Sequence, residues 1–226
     1  MKKSLFALLG ASALLVSNSS AAILVAGWHA FDNNSTASEA PDSVSTGFSG
    51  LVVKNTYSVS PGGDNDGTYG NSSAWGVVPS NDGYARVTTA ANLYFTVTNN
   101  NASAVQLTSL LFDAVSSQKA GGGTYDFTIS YSLNGGTTWT ALSTVNPALN
   151  ANGFNPNQQE DFSDFVLNLS SVTLASAATI QFRFEGQGRI DNVALIAVPE
   201  TSSTIALGGL LGAGVFFRSR RRSVIA

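Results

Sequence analysis

Two aspartates in the first third of the chain have the residue type and spacing of a cation site. The segment Asp64-Asn65-Asp66-Gly67 brings together two carboxylates and an amide oxygen, followed by a glycine that permits a tight turn. A hard cation such as calcium prefers oxygen ligands of this kind. An EF-hand requires a glutamate at the twelfth loop position, which is occupied by Trp75, so that motif is absent. With Asp191 as a distant third ligand, Asp64 and Asp66 form the candidate structural calcium site, and the alternative is a solvated turn.

Catalytic chemistry has few candidate residues in this sequence. His29 is the only histidine, so a Ser-His-Asp mechanism would have to use it, and it falls within a predicted first strand. Glycoside hydrolysis needs only two carboxylates about 5 to 10 Å apart, and Glu160, Asp161, Asp164 and Glu185 are candidates for that pair. Because carboxylates without a defined spacing are not a motif, the sequence predicts a non-enzymatic protein. A secreted glycoside hydrolase is kept as an alternative.

Aromatic residues in polar, loop-like segments suggest that the chain could bind sugars without cutting them. Aromatic rings present a flat apolar face on which a sugar ring can stack. The residues concerned are Tyr57, Tyr69, Trp75, Tyr84 and Phe154. The alternative is that they pack at the rim of the fold. They support a carbohydrate-binding module, with surface or matrix polysaccharide as its partner, as the first alternative function.

The elements that must position these residues are predicted to be β-strands. Residues 125–133 alternate apolar and polar side chains without a fault, which predicts a strand with one buried and one wet face. Asn134-Gly135-Gly136 then predicts a turn, with residues 137–142 as the partner strand. Further strands are predicted over residues 23–31, 91–98, 106–114, 165–169, 179–185 and 190–198. No segment between residues 23 and 198 has a sustained helical period, so the sequence predicts an all-β fold, a single antiparallel β-sandwich.

The hairpin turn carries a recognisable local pattern. Residues 132–139 resemble the Asp-box, Ser-x-Asp-x-Gly-x-Thr-Trp, with Asn134 in place of the aspartate. In sialidases and other propellers the box recurs and is not catalytic. Here it occurs once, so a propeller is not predicted. The residues indicate a turn capped by side chains, with Trp139 packed behind it.

Residues 1–22 have the order of a secretory signal peptide. Lys2 and Lys3 precede a mostly apolar stretch, and Ser19-Ser20-Ala21-Ala22 offers the small residues that signal peptidase requires. The predicted domain that follows, residues 23–198, has five basic and 13 acidic residues, which give a net charge of −8. The basic residues are scattered, which argues against nucleic-acid binding. Since the chain has no cysteine, it has no disulfide and must rely on its hydrophobic core.

Residues 199–226, with the preceding Val198, combine three unlike elements. Val198, Pro199 and Glu200 form a short motif, and residues 205–217 form an apolar run. An arginine cluster closes the run, and its members are Arg218, Arg220, Arg221 and Arg222. This order resembles the PEP-CTERM sorting signal of exported bacterial proteins, with Thr201 in place of the second proline of the family motif. The resemblance implies recognition and cleavage by a membrane protease of the exosortase family.

The length of the apolar run suits a transient membrane stop. As a helix it would span about 20 Å, against a hydrocarbon core of about 30 Å. The arginines are predicted to stay in the cytoplasm, which leaves the main domain outside. The alternative is a plain C-terminal anchor. The protein is therefore predicted to be exported, held at the membrane during processing, and then located at the cell surface or outside the cell.

Three short segments indicate the type of sandwich. Ala26-Gly27-Trp28 lies in the first predicted strand, Phe182-Arg183-Phe184 in a later one, and Ile190-Asp191-Asn192-Val193 in the last. This order resembles the jelly-roll domains often found ahead of this sorting signal, which are similar to lectin-like and carbohydrate-binding modules. The resemblance implies a jelly-roll sandwich, and the primary prediction is an exported, non-enzymatic protein of the cell surface or extracellular matrix.

Overall fold

The computed structural model of the chain describes residues 21–28, 31, 38–53, 57–58, 84–120, 122–149 and 162–199. These ranges contain β-strands and turns and no helix, and so no helix there could cross a membrane. Ala21–Glu200 forms one compact unit. Residues 1–20 of the predicted signal peptide, the apolar run and the terminal arginines lie outside the described residues.

Fourteen strands lie in the described part of the chain, and we number them in chain order. They are β1 (Ile23–Trp28), β2 (Ser38–Glu39), β3 (Ser43–Val44), β4 (Phe48–Val53), β5 (Tyr57–Ser58), β6 (Tyr84–Val87), β7 (Leu93–Asn99), β8 (Val105–Ser116), β9 (Phe127–Ser132), β10 (Thr140–Val145), β11 (Ser163–Asn168), β12 (Thr173–Leu174), β13 (Thr179–Glu185) and β14 (Gly188–Pro199). Besides the two arms of the hairpin, six segments were predicted as strands, and they correspond to β1, β7, β8, β11, β13 and β14. The two arms of the hairpin are β9 and β10. Strands β2 to β6 and β12 were not predicted.

The strands form two sheets. In the larger sheet the order is β11-β8-β14-β1-β3, with β12 beside β8, β6 beside β14 and β5 beside β6. In the smaller sheet the order is β10-β9-β13-β7-β4-β2. The pairings between these strands are antiparallel. Successive strands often belong to different sheets, so the prediction of an all-β antiparallel sandwich of jelly-roll type is confirmed.

Apolar side chains from the facing sides of the two sheets form the core. Phe95 on β7 and Phe184 on β13 point inward from the smaller sheet, are almost wholly buried, and lie 5.4 Å apart edge to face. Phe184 also meets Phe112 of the larger sheet at 5.0 Å, and Trp28 of β1 meets Phe95 at 5.1 Å. Such edge-to-face pairs add stabilisation beyond area burial. This connected set of rings joins the two sheets.

The predicted hairpin is present, but its arms are residues 127–132 and 140–145 instead of 125–133 and 137–142, and the exposure of three residues was predicted wrongly. Leu133 was predicted on the buried face but is 48% exposed, because it lies beyond the end of β9. Strands β9 and β10 pair over residues 127–131 and 140–145. Phe127 and Ile129 are fully buried and Thr128 is exposed, as the alternation predicts. Ser130 and Ser132 lie on the supposedly wet face but are only 3% and 2% exposed. Side chains of the neighbouring strand and of the hairpin turn cover that face locally, which strand periodicity alone does not reveal.

The first and last strands place both ends of the compact unit at the same end of the sandwich. Ile23, which begins β1, is opposite Ala197, near the end of β14. In the larger sheet β14 lies between β8 and β1, and its last pairs are Val198 with Gln106 and Pro199 with Val105. The strand ends at the proline, which has no amide hydrogen to donate to a continuing ladder.

Candidate functional site

The outer face of the smaller sheet carries a row of polar and aromatic side chains. Side chains alternate between the two faces of a strand, so the inward Phe95 and Phe184 leave their neighbours Tyr94, Arg183 and Glu185 on the outer face. Arg183 lies directly opposite Tyr94 on one neighbouring strand and Ser130 on the other. Trp139, just after the hairpin turn, lies over this row. We call Tyr94, Trp139, Arg183 and Glu185 the outer platform.

The centre of the outer platform is a stack of an indole ring on a guanidinium group. The Cζ atom of Arg183 lies 4.4 Å from the centroid of the Trp139 ring. The ring of Tyr94 lies 6.0 Å from that of Trp139, at an angle of 44°. Both rings are partly exposed. A cation over an aromatic face contributes about 0.5 to 2 kcal/mol, according to how far it is desolvated, so the stack fixes the position of the indole on the sheet.

Hydrogen bonds and an ion pair fix the guanidinium in turn. Arg183 Nη2 lies 2.9 Å from Glu185 Oε2, and Arg183 Nε donates to Ser130 Oγ at 3.3 Å. Glu185 Oε1 accepts from Asn92 Nδ2 at 3.3 Å, and that amide lies 3.5 Å from the hydroxyl of Tyr94. The polar groups of the platform therefore form one connected network. It holds one positive and one negative charge, and the two are paired.

The hairpin turn that delivers the platform tryptophan is held by its own side chains. Ser132 Oγ accepts hydrogen bonds from the amides of Asn134 and Gly136, at 3.3 and 2.9 Å. Asn134 Oδ1 accepts from the Thr138 amide at 3.0 Å, and Asn134 Nδ2 donates to Thr138 Oγ1 at 2.8 Å. Gly135 and Gly136 have φ of 67° and 84°, a region that glycine enters without steric cost. The asparagine thus performs the capping that the Asp-box resemblance implies.

The turn also packs closely on the platform. A Cβ atom added to Gly136 would lie 3.1 Å from Gln181 Oε1 and 3.3 Å from Trp139 Cζ2. These distances are tighter than ordinary van der Waals contact, so with a side chain here the Gln181 amide and the indole would each have to shift by a few tenths of an ångström. The glycine therefore does two things: it supplies the backbone conformation of the turn and the space for the ring.

The aromatic residues predicted to contact sugars are not the ones that form this platform. Tyr69, Trp75 and Phe154 lie outside the described residues. Tyr57 and Tyr84 fall in β5 and β6, and the side chains of these two residues are not described. Trp139 was predicted to pack behind a turn, and neither Tyr94 nor Arg183 was predicted to contact a ligand. The sequence did contain one signal for them: Tyr94 and Arg183 each stand on the polar side of a segment with strand alternation.

The predicted calcium ligand Asp191 lies in a buried polar cluster of the larger sheet. Asp191 on β14 is directly opposite Asp113 on β8, and the two are 2% and 0% exposed. Asn192 has φ of 48° where the strand register shifts; its amide donates to Asp191 Oδ1 at 2.8 Å and its Nδ2 to Asp113 Oδ2 at 3.0 Å. Asp64 and Asp66 lie outside the described residues. Within the described residues no three acidic, histidine or cysteine side chains form a metal-binding group, so the calcium site stays a prediction.

The carboxylates proposed for hydrolysis do not come together where the structure describes them. Asp164 lies on β11, opposite Asp113 and on the outer face of the larger sheet. Glu185 lies on the outer face of the smaller sheet, so both sheets and the core separate the two groups. Glu160, Asp161 and His29 lie outside the described residues.

A pocket of about 300 Å³ opens at the end of the sandwich where β1 begins. Its lining residues are Ile23, Thr46, Phe48, Asn101, Ala102, Ser103, Ala104 and Val105. These side chains include no carboxylate, imidazole, amine or guanidinium group. The pocket therefore offers no general acid or base for glycoside hydrolysis.

The residues of the predicted sorting signal are only partly described. Val198 and Pro199 are the last two residues of β14. Glu200 lies outside the described residues, as do the four arginines of the terminal cluster, Arg218, Arg220, Arg221 and Arg222. The proposed motif therefore starts inside a paired strand of the larger sheet.

Comparison with known proteins finds structural neighbours without sequence relatives. No family model matches the chain, and no curated protein matches it in sequence. The cleaved adhesin domain K1 of Lys-gingipain from Porphyromonas gingivalis W83 is 10% identical with a TM-score of 0.36, covering 80% of this chain and 99% of that one. The module CBM32-3 from a family 31 glycoside hydrolase of Clostridium perfringens is 17% identical with a TM-score of 0.27, covering 52% and 74%. CBM28, a carbohydrate-binding module specific for non-crystalline cellulose, is 10% identical with a TM-score of 0.24, covering 65% and 93%.

Proposed function

We propose that this protein is an exported, non-enzymatic protein of the cell surface or extracellular matrix, and that its sandwich binds polysaccharide through the outer platform. The observation that carries the proposal is the partly exposed Trp139, held over Arg183 and beside Tyr94 on an outer sheet face. The apolar CH groups of a sugar ring can pack on the indole. Sugar hydroxyls can meanwhile hydrogen-bond to the polar groups around it, as in other ligand sites that combine apolar contact with a few placed polar groups.

Preorganisation supports this use of the platform. The capped turn, the guanidinium stack and the ion pair with Glu185 hold Trp139 in place before any ligand arrives. A ring that is already fixed loses little conformational freedom when a sugar stacks on it, so more of the contact energy appears as affinity.

The positions of the acidic residues support binding without cleavage. Asp113 and Asp191 are buried and hydrogen-bonded to Asn192. Asp164 and Glu185 are on opposite outer faces, and Glu185 is paired with Arg183. None of these arrangements offers two carboxylates facing each other across an open cleft, which is what hydrolysis requires.

Delivery to the surface is proposed from the two terminal signals. Signal peptidase would remove residues 1–22, and an exosortase-type membrane protease would recognise Val198-Pro199-Glu200 while residues 205–217 are held transiently in the membrane. Since Val198 and Pro199 are paired with β8, we propose that the cleavage falls after Pro199.

Polysaccharide binding can be tested on the compact unit Ala21–Glu200, which contains both sheets and the described core. A glycan array followed by titration calorimetry should identify a bound polysaccharide. Trp139→Ala should then weaken binding at least tenfold, equivalent to about 1.4 kcal/mol. Trp139→Phe, which keeps a ring, should retain much of the affinity.

Val166→Ala provides a matched control for the loss of an exposed apolar side chain. Val166 is 59% exposed and lies on β11 in the larger sheet, on the other outer face of the sandwich. The Val166→Ala variant should bind the polysaccharide as tightly as the wild type. Equal affinities for wild type and Trp139→Ala, with both proteins folded by circular dichroism, would refute the platform as the binding site.

The sorting proposal has a separate test in the full-length chain in a host with an exosortase. Replacing Pro199 and Glu200 with alanine should leave export intact and prevent removal of the arginine tail, because the protease loses its recognition motif. Mass spectrometry of the C-terminus reports the outcome. A mutant tail removed as efficiently as that of the wild type would contradict the assignment of this motif.

A further inference from the structure

The only guanidinium of the outer platform is already engaged on three sides. Arg183 pairs with Glu185 at 2.9 Å, donates to Ser130 at 3.3 Å and stacks under Trp139 at 4.4 Å from its centroid. Its side chain is 23% exposed. An incoming carboxylate or sulfate would have to displace the glutamate before it could form a bidentate pair with this group.

The residues around the ion pair are polar but uncharged. The outward positions of β7, β9 and β13 next to the platform carry hydroxyl and amide side chains, and these residues are Thr96, Thr98, Thr128, Ser132, Thr179 and Gln181. The platform therefore has a net charge of zero within the described residues. The domain as a whole carries a net charge of −8, which repels polyanions at long range.

What the platform offers a ligand is hydrogen-bonding capacity beside a stacking surface. Glu185, 37% exposed, presents a carboxylate that accepts hydrogen bonds from hydroxyl groups. Gln181 adds an amide near the indole, since its Oε1 and the Trp139 ring both lie beside Gly136. Hydroxyl groups satisfy such partners, whereas a second carboxylate beside Glu185 would be repelled.

From this charge pattern we infer that the outer platform takes a neutral polysaccharide and rejects uronate and sulfated polymers. The inference rests on the proposed function and adds the chemical class of its ligand. In it, Trp139 supplies the stacking surface and Glu185 the hydroxyl acceptor. Glu185 also sets the selectivity, because it neutralises the one cation that could attract an anionic sugar.

Matched polymers that differ only in charge test the inference. We would titrate the compact unit with polygalacturonate and with the same polymer fully methyl-esterified, and with neutral laminarin, amylose, xyloglucan and galactomannan. We expect binding to one or more neutral polymers, and none to polygalacturonate. That binding should change less than twofold between about 0.05 and 0.5 M sodium chloride, because it involves no net charge pairing.

Glu185→Gln is the variant that should alter the class of polysaccharide that the platform binds. It keeps the shape and an acceptor oxygen while raising the platform charge by one, so polygalacturonate should bind measurably at low salt. Continued rejection of polygalacturonate by this variant would overturn the role given to Glu185. Thermal unfolding of the variant, compared with that of Glu185→Asp, checks that loss of the ion pair has not disturbed the fold.

The possible failures of the two proposals are distinguishable. If the wild type prefers polygalacturonate, and Trp139→Ala abolishes that binding, the platform is a saccharide site and the neutral class is wrong. If none of the polymers binds, or if binding does not depend on Trp139, the polysaccharide-binding function itself is overturned.

Discussion

Strand β9 lends itself to a quantitative test, because three successive residues have three different environments. Ile129 is fully buried in the core, where it lies between Phe184 of β13 and Ser143 of β10 in the register. Ile129→Ala removes three carbon groups, worth about 2.4 kcal/mol at about 0.8 kcal/mol each. A residual cavity adds to this, so we expect a loss of about 3 to 4 kcal/mol.

The two neighbours of Ile129 point to the outer face but should not respond alike. Thr128 is exposed, so Thr128→Ala should change stability by less than about 0.5 kcal/mol. Ser130 is 3% exposed and accepts a hydrogen bond from Arg183. Ser130→Ala should cost about 1 kcal/mol, because that hydrogen bond is lost while the guanidinium stays partly buried.

Urea unfolding of the compact unit and its three variants measures the three losses of stability, which should be largest for Ile129→Ala and smallest for Thr128→Ala. If the m-values are equal, shifts in the midpoint report stability alone. For a domain of this size the Ile129→Ala loss corresponds to a fall in Tm of roughly 6 to 16 °C. Equal costs at Thr128 and Ser130 would refute the claim that Arg183 covers Ser130 on a face where Thr128 is exposed. A cost below about 1 kcal/mol at Ile129 would refute the assigned core face.

Three further outcomes are expected. Gly188→Ala should prevent folding or cost more than about 3 kcal/mol, because its Cβ would lie 2.1 Å from the Val115 carbonyl oxygen; a soluble variant with unchanged Tm would contradict this. Asn134→Ala should lower stability by about 1 to 2 kcal/mol by uncapping the hairpin turn, and Asn134→Asp should restore most of the loss, as judged by thermal unfolding. If Asp64 and Asp66 bind calcium, millimolar calcium should raise the Tm of the wild type but not of the double alanine variant, and an unchanged wild-type Tm would leave that segment a solvated turn.

The predicted hairpin shows why local pattern was sufficient for some of the fold. Residues 125–133 alternate strictly, and a strand places alternate side chains on opposite faces, so Phe127 and Ile129 could be assigned to the core in advance. Asn134 and the two glycines after it likewise specify a turn through their own backbone preferences. These inferences use only neighbours in sequence, which the chain itself brings together.

The candidate site depended on contacts that sequence spacing does not specify. Tyr94, Trp139 and Arg183 come from three separate parts of the chain, and the register of β7 and β13 alone sets Tyr94 opposite Arg183. The pairing of Asp113 with Asp191 depends in the same way on the register of β8 and β14. Several registers are compatible with each strand's own alternation, so cross-strand neighbours cannot be read from the pattern.

The sequence by itself determined the all-β class, the β9–β10 hairpin and which of its residues face the core, because side-chain alternation and turn preference are local properties. Only the tertiary structure decided which strands are neighbours, which polar faces are covered, and which acidic residues are far apart. The burial of Ser130 illustrates the reason: a serine on the outer face of a strand is wet or buried according to what the next strand and the following turn place over it. Here the next strand places Arg183 beside Ser130, and Trp139 stacks on that guanidinium.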